Sequence, residues 1–353
     1  MRLRLHFLPK KMTRGYVVAI VCSFVAGILV CLGSIALLDR THTVPAGGLL
    51  RQSDIPTARS EYTFIDPLLA SKGGNPLPKY NEMKEQLSSY LSSQKDSGLI
   101  SATVYFRDIN EQGELSINGD ELYTPASLFK VPVMMTYYKI AERNPAILTD
   151  RIYFAGETDH NSVEQIKSVV QLKPGTTYTV EQLIEHLIRY SDNNAVHLLT
   201  QHLLDTQNLN DYAEVFSDLG IDLKSMKDYS DSITAQQYSL FLRSLYNATY
   251  LNRTYSEKAL ALLSNTDFTE GIESGVPNEI SVAQKFGEVR MTDSNGVLLG
   301  KQLNNCGIIY YPKHPYLLCV MTKMKGDNVR GLEDTVSAVS RIVYKNVQSL
   351  YPY

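Results

Sequence analysis

The 353-residue chain has no tryptophan and only four cysteines, and no close Cys/Cys or Cys/His pair has the spacing of a zinc site. Cys22 and Cys31 fall in an apolar run, where a small soft side chain needs no chemistry. Cys306 and Cys319 flank a turn at Pro312, Lys313, His314 and Pro315. A bridge between them needs directly opposed positions, and free thiols are the expected state. Basic surplus is also lacking: the net charge is −3, and beyond residue 15 no basic stripe offers a nucleic acid its electrostatic footprint. His186, His197 and His202 lie on helical segments. Residues 197 and 202 are five apart and do not share a face in the manner of a zinc helix, so neither metal nor cofactor is expected.

What is present begins with a membrane signal. Residues 1–15 carry Arg2, Arg4, Lys10, Lys11 and Arg14, and 16–38 follow without a charge. At about 1.5 Å per residue that run spans a bilayer core of about 30 Å. The basic flank places the N-terminus in the cytoplasm and everything after residue 38 outside the cell membrane. The expectation is a signal anchor, with secretion after cleavage near Ala36 as the alternative. Residues 39–80 show no sustained periodicity and contain Val44-Pro45-Ala46-Gly47-Gly48 and Lys72-Gly73-Gly74-Asn75-Pro76, the composition of a linker. Short apolar pieces around Phe64 and Ile65 are candidates for docking on the folded part.

From residue 81 to 353 the pattern is that of one domain. Residues 81–97 have helical spacing through Met83, Leu87 and Leu91. Residues 100–107 alternate, with Ala102, Val104 and Phe106 on one face and Thr103, Tyr105 and Arg107 on the other. A second strand is expected at 114–117, and helices at 133–142, 179–188, 195–204, 234–246 and 256–263. Three further strands are expected at 281–288, 307–311 and 316–322, with a closing amphipathic helix at 331–351. Strands at both ends of a domain join most economically into one sheet. The predicted fold is α+β, an α/β/α sandwich in which a five-stranded antiparallel sheet is flanked by helices. An all-helical lobe, about 124–265, is inserted between the strands, with a cleft between lobe and sheet.

Within this frame Ser127 and Lys130 stand three apart at a helix start, on one face. A Ser hydroxyl needs a base before it becomes a nucleophile, and a Lys amine can serve. The pair alone is common by chance, and an exposed helix start is its bland reading. Further along, Ser191, Asp192 and Asn193 end one helix and open the next. They are ordinary cap residues, yet they sit where the chain turns and functional groups are often presented.

Taken together, Ser127-x-x-Lys130, Ser191-Asp192-Asn193 and Lys285-Phe286-Gly287, in that order, resemble the Ser-x-x-Lys, Ser-Asp-Asn and Lys-Thr-Gly signature of class A β-lactamases and penicillin-binding proteins. The resemblance covers about residues 81–353. It implies acyl transfer, with Ser127 attacking a carbonyl, Lys130 accepting its proton, and Ser191 relaying a proton to the leaving nitrogen with help from Lys285. Asn193 would bind the substrate's amide, Phe286 and Gly287 would line the cleft, and the N–H groups of Ser127 and Glu288 would form the oxyanion hole. Asp192 would be structural.

Two departures narrow this. The family's omega-loop Glu, which activates the deacylating water, has no counterpart: residues 221–233 contain no Glu, only Asp222, Asp228 and Asp231. Phe286 also replaces the hydroxyl that binds the carboxylate of β-lactams and of D-Ala-D-Ala. The expected function is an extracytoplasmic serine hydrolase acting on a cell-wall peptide or another amide or ester. A true β-lactamase and a catalytically silent envelope binding protein are the alternatives. Expected partners are a small-molecule or peptide substrate, peptidoglycan or a β-lactam among them, and the membrane.

Overall fold

The computed structural model describes residues 62–66, 75–162, 166, 168, 170–221 and 232–352. The basic segment, the apolar run 16–38, most of the linker and Asp222, Asp228 and Asp231 fall outside them. Among the described residues no helix is long and apolar enough to cross a membrane.

In chain order a short strand β1 (Asn75–Pro76) precedes α1 (Asn81–Ser93), the hairpin β2 (Leu99–Asp108) and β3 (Gly113–Ile117), and α2 (Lys130–Arg143). Then come a small hairpin, β4 (Arg151–Phe154) with β5 (Thr176–Thr179), and five helices: α3 (Val180–Arg189), α4 (Asn193–Asp205), α5 (Leu209–Asp218), α6 (Ala235–Tyr246) and α7 (Arg253–Leu263). Three strands, β6 (Val282–Thr292), β7 (Leu298–Ile309) and β8 (Tyr316–Lys325), lead to α8 (Val329–Leu350).

The main sheet runs β1-β3-β2-β8-β7-β6. The five expected strands pair antiparallel, and β1 adds a parallel edge on β3. Strand side chains alternate between faces, and here both faces are covered. Ala102, Val104, Phe106, Leu318 and Val320 join Met83 and Leu87 of α1 and Val336, Val339 and Val343 of α8 in one core. Tyr105, Leu317 and Met321 join the helical lobe in the other.

Three expectations are corrected. The lobe is not all helical, because β4 pairs antiparallel with β5. Four-residue strands with partly exposed side chains are too short to show a period-two signal. Strand β7 starts at Leu298, well before the expected 307, and the added part carries the polar Lys301, Gln302, Asn304 and Asn305. All four are buried, and neighbouring elements receive their donors: Asn305 Nδ2 donates to Gln284 Oε1 at 3.1 Å, and Asn304 Nδ2 to the Thr124 carbonyl at 2.8 Å. Cys306 and Cys319, expected to be free, face each other in the β7/β8 register and form a disulfide. The tight return between the strands puts them directly opposite.

Residues 62–66 dock on the domain, as their apolar character suggested. The N–H groups of Thr63, Phe64 and Ile65 donate to the Glu257 carboxylate at 2.7, 2.8 and 3.1 Å, and the Phe64 ring meets Tyr310 edge-on.

Candidate active site

Ser127 lies in a 3-10 turn, Ala126–Phe129, that runs directly into α2 at Lys130. The turn begins with Ala126 at φ 49°, a left-handed conformation that a non-glycine residue adopts only under restraint. Restraint comes from three sides. Gln302 Oε1 accepts from the Thr124 N–H at 3.3 Å, Asn304 holds the Thr124 carbonyl, and Tyr238 of α6 donates its hydroxyl to the Leu128 carbonyl at 3.2 Å. Strand β6 presses against the turn at Gly287, where a Cβ would stand 2.8 Å from the Pro125 carbonyl oxygen and 3.0 Å from the Ser127 nitrogen. Glycine at 287 is what allows the sheet to touch the backbone of Ser127.

Opposite lies the 190–193 turn. A capping box, Thr179 with Gln182, starts α3 as its sequence indicates. The chain then turns at Ser191, with φ 53°, and Asp192 caps α4 by accepting from the Asn194 N–H. Asp192 is buried and fully occupied: Oδ1 accepts from Asn161 Nδ2 and from the Asn194 N–H, both at 2.9 Å, and Oδ2 accepts from the Leu172 N–H at 2.9 Å. His186 Nδ1 stands 3.6 Å from Oδ2. Burial alone would push the Asp192 carboxyl up, but His186, Asn161 and the two N–H groups outweigh it and hold it below the usual carboxylate range. This supports the structural role expected of Asp192.

The two lysines and Ser191 converge. Lys130 Nζ donates to the Ser191 carbonyl, to Ser191 Oγ at 3.0 Å and to Asn193 Oδ1 at 2.7 Å. Lys285 Nζ donates to Ser191 Oγ at 2.9 Å and to the Phe286 carbonyl at 3.1 Å. Both lysines are buried, whereas Ser127 is half-buried. These contacts of Lys130 run to the 191–193 turn, whose oxygens accept from its ammonium. Asn193 is likewise engaged from within, since its Nδ2 donates to the His160 carbonyl at 3.3 Å.

The remaining expected residues are placed on β6. Phe286 is buried and stacks on Phe268, centroids 4.0 Å apart, with the Lys285 ammonium 4.4 Å from its own centroid. The Glu288 carboxylate accepts from the Ile166 N–H and from Lys301 Nζ, both at 3.1 Å. Sequence reasoning missed the residues that hold the 191–193 turn. Buried Asn161 bridges it, donating to Asp192 and accepting from the Asn193 N–H at 2.7 Å, and Asn194 accepts from the His160 N–H at 2.8 Å. His160 stacks on His197 at 4.4 Å, and burial together with His160 pushes the His197 imidazole down. Residues 159–161 sit in a loop without periodicity, and nothing in their spacing marks them.

The model of the β-lactamase enzyme family matches residues 82–347. The chain belongs to that family. Its structure is similar to that of PBP-A, with a TM-score of 0.61 at 19% identity, covering 79% of this chain and 99% of that one. It is also similar to a class A β-lactamase from Mycobacterium abscessus (TM-score 0.61, 22% identity, 75% and 99% covered) and to a β-lactamase from Sphaerobacter thermophilus (0.61, 20%, 76% and 98%). No curated protein sequence matches the chain. The family's three motifs are thus gathered at one cleft face, two on the lobe and one on β6.

Away from that face, Asp108, Glu111 and His314 bring one ligand atom each within 4.8 Å of one another. Asp108 Oδ2 already accepts from the Tyr80 and Tyr351 hydroxyls at 3.0 and 2.7 Å, and Lys79 pairs with Glu111. Hydrogen bonds and an ammonium thus already answer these carboxylates.

Proposed function

We propose that this family member is a membrane-anchored, extracytoplasmic serine hydrolase that acts by acyl transfer through Ser127 on a cell-wall peptide or a related amide or ester. The observation that carries the reading is the convergence of Lys130 and Lys285 on Ser191 Oγ, at 3.0 and 2.9 Å, beside a turn that presents Ser127 against β6. Ser191 Oγ links the two amines and so offers a path along which a proton can pass between Lys130 and the leaving group.

In this reading Ser127 Oγ attacks the substrate carbonyl carbon and its proton passes to Lys130. The oxyanion forms against the N–H groups of Ser127 and Glu288, donors each worth about 2.7–4 kcal/mol in comparable sites. The C–N or C–O bond then breaks, the leaving group takes a proton through Ser191, and an ester remains on Ser127 until water hydrolyses it. A variant of PBP-A, similar at 18% identity, has been captured as an acyl-enzyme complex with penicillin G. With no Glu in 221–233 and Phe286 in place of a carboxylate-binding hydroxyl, acylation is expected to outrun hydrolysis of a β-lactam. The Cys306–Cys319 disulfide supports an oxidising, extracytoplasmic location for the domain.

The test is intact-mass spectrometry of the full chain after incubation with penicillin G, with a D-Ala-D-Ala peptide and with a fluorophosphonate. An adduct that disappears in Ser127→Ala supports the reading. Absence of any adduct from all three reagents, in protein that is folded, would sink it and favour a silent binding protein; rapid nitrocefin turnover would favour a true β-lactamase.

A further inference from the structure

Besides Lys130 and Lys285, Lys301 of β7 is buried, its side chain 0% exposed. Its ammonium meets Glu288 Oε1 at 3.1 Å and Asp327 Oδ1 at 2.6 Å, and the second Glu288 oxygen accepts from the Ile166 N–H at 3.1 Å. We infer that the Lys301–Glu288 ion pair is the positioning device of the oxyanion hole, holding the Glu288 N–H where a tetrahedral intermediate develops its charge; the inference rests on the reading of Ser127 as the acylated nucleophile.

The register of β6 decides where its backbone points. The Tyr310 N–H donates to the Ser281 carbonyl at 3.0 Å, and these two residues continue the register that sets Val282 opposite Ile309 and Glu288 opposite Leu303. Hydrogen-bonded and non-bonded pairs alternate along such a ladder. Residues 281, 283, 285 and 287 therefore bond to β7, and the N–H groups of Phe286 and Glu288 point outwards. Among the described strands β6 ends the sheet, so no ladder bond aligns an outward N–H. Gly287 is held on the inner side and next to Ser127, its Cβ position 3.0 Å from the Ser127 nitrogen. The Glu288 nitrogen follows directly in the chain, which makes the two oxyanion donors neighbours.

The Glu288 side chain supplies the alignment that the ladder does not. It lies on the sheet face opposite to that of Lys285 and Gly287. There Lys301 grips it from the neighbouring strand, the Ile166 N–H from the β4–β5 connection, and Asp327, just ahead of α8, steadies the ammonium. Taking a charged pair out of water is costly, and apolar side chains of similar volume often give equal or greater stability. What the pair adds is direction, because charge-assisted hydrogen bonds fix the angle as well as the distance of their partners. Lys301 acts through Glu288 and is a positioning residue.

The test uses the full-length protein with 4-nitrophenyl phenylacetate and its thiono analogue, in which sulfur replaces the carbonyl oxygen. A developing sulfur anion is larger and a weaker acceptor, so donors set for oxygen assist it little. Acylation of Ser127 is followed by nitrophenolate release, with the Ser127→Ala rate subtracted. The double variant Lys301→Met/Glu288→Met replaces the pair by apolar side chains and should keep a urea midpoint near that of wild type. Its acylation by the oxygen ester is expected to slow at least about tenfold, part of the roughly 100- to 1000-fold cost of losing a whole donor, while the thiono ester stays within about twofold of wild type. A fall in the oxygen-to-thiono ratio upholds the inference. Equal slowing of both esters marks general damage and overturns it, as does slowing of neither; both results leave the serine hydrolase reading intact. If the double variant does not fold, Glu288→Gln is measured in its place, since an amide keeps the size and weakens the bond to Lys301. A ratio lower by at least about threefold then upholds the inference, and an unchanged one overturns it. If neither ester acylates Ser127 in the wild type, the serine hydrolase reading itself fails and the positioning role falls with it.

Discussion

Asp192→Asn removes one negative charge from a residue that is 2% exposed and receives three hydrogen bonds at 2.9 Å. An amide offers one acceptor oxygen in place of two. Wherever that oxygen points, its NH₂ must face either the Leu172 N–H or the Asn161 amide and Asn194 N–H. At least one charge-assisted bond is lost, about 1.5–3 kcal/mol, and a buried donor is left without an acceptor at a further cost of about 1–3 kcal/mol. The expected destabilisation at pH 7 is about 3 kcal/mol, a large share of a typical domain stability of about 5–15 kcal/mol. Urea unfolding should show a lower midpoint with an unchanged slope. The pH dependence has a definite sign. The folded-state pKa of Asp192 is depressed, so its contribution is complete above the unfolded carboxylate value of about 3.9 and is lost as pH falls through the lower folded value. The gap between wild type and Asp192→Asn should therefore narrow on acidification from about pH 5 downwards. A gap below about 0.5 kcal/mol at pH 7, or one that stays constant between about pH 6 and pH 3, would refute the assignment of Asp192 as the charged anchor of the 191–193 turn.

Two further outcomes are expected. Cys306→Ser/Cys319→Ser should lower stability by about 3 kcal/mol, the chain-entropy value for a loop of about this length, while thiol alkylation of the denatured wild type should modify neither residue until a reductant is added; ready alkylation without reductant would refute the bridge. Gly287→Ala places a methyl 2.8 Å from the Pro125 carbonyl oxygen and 3.0 Å from the Ser127 nitrogen, so β6 and the nucleophile turn must separate. The strain is about 1–3 kcal/mol, and fluorophosphonate labelling of Ser127 should fall at least about tenfold; labelling at the wild-type rate would mean that contact between strand and turn does not matter.

The parts legible in the sequence were those written in local patterns. The alternation over 100–107 placed Ala102, Val104 and Phe106 on one sheet face, and their core with α1 and α8 matches it. The helices expected at 179–188 and 234–246 are found as α3 and α6, each opened by a Thr–Gln capping box. The Ser-x-x-Lys, Ser-Asp-Asn and Lys-x-Gly spacings identified the family ahead of any coordinates. Each of these signals lies within a few residues, where side-chain period, capping and chain direction act.

What the tertiary structure alone decided were pairings across long separations. Lys301, Gln302, Asn304 and Asn305 lie ahead of the strand expected at 307, and partners on β6 and near Thr124 make them part of a buried strand. Cys306 met Cys319 because of a register set by the turn, which composition does not encode. Asn161 gained its place as the bridge of the 191–193 turn from a loop with no pattern, and the contacts of Lys130 with Ser191 and Asn193 join positions more than sixty residues apart. Spacing fixes which residues share a helix or strand face, whereas a buried polar group has to find its partner wherever the fold brings one, and that search is settled only when the lobe packs on the sheet.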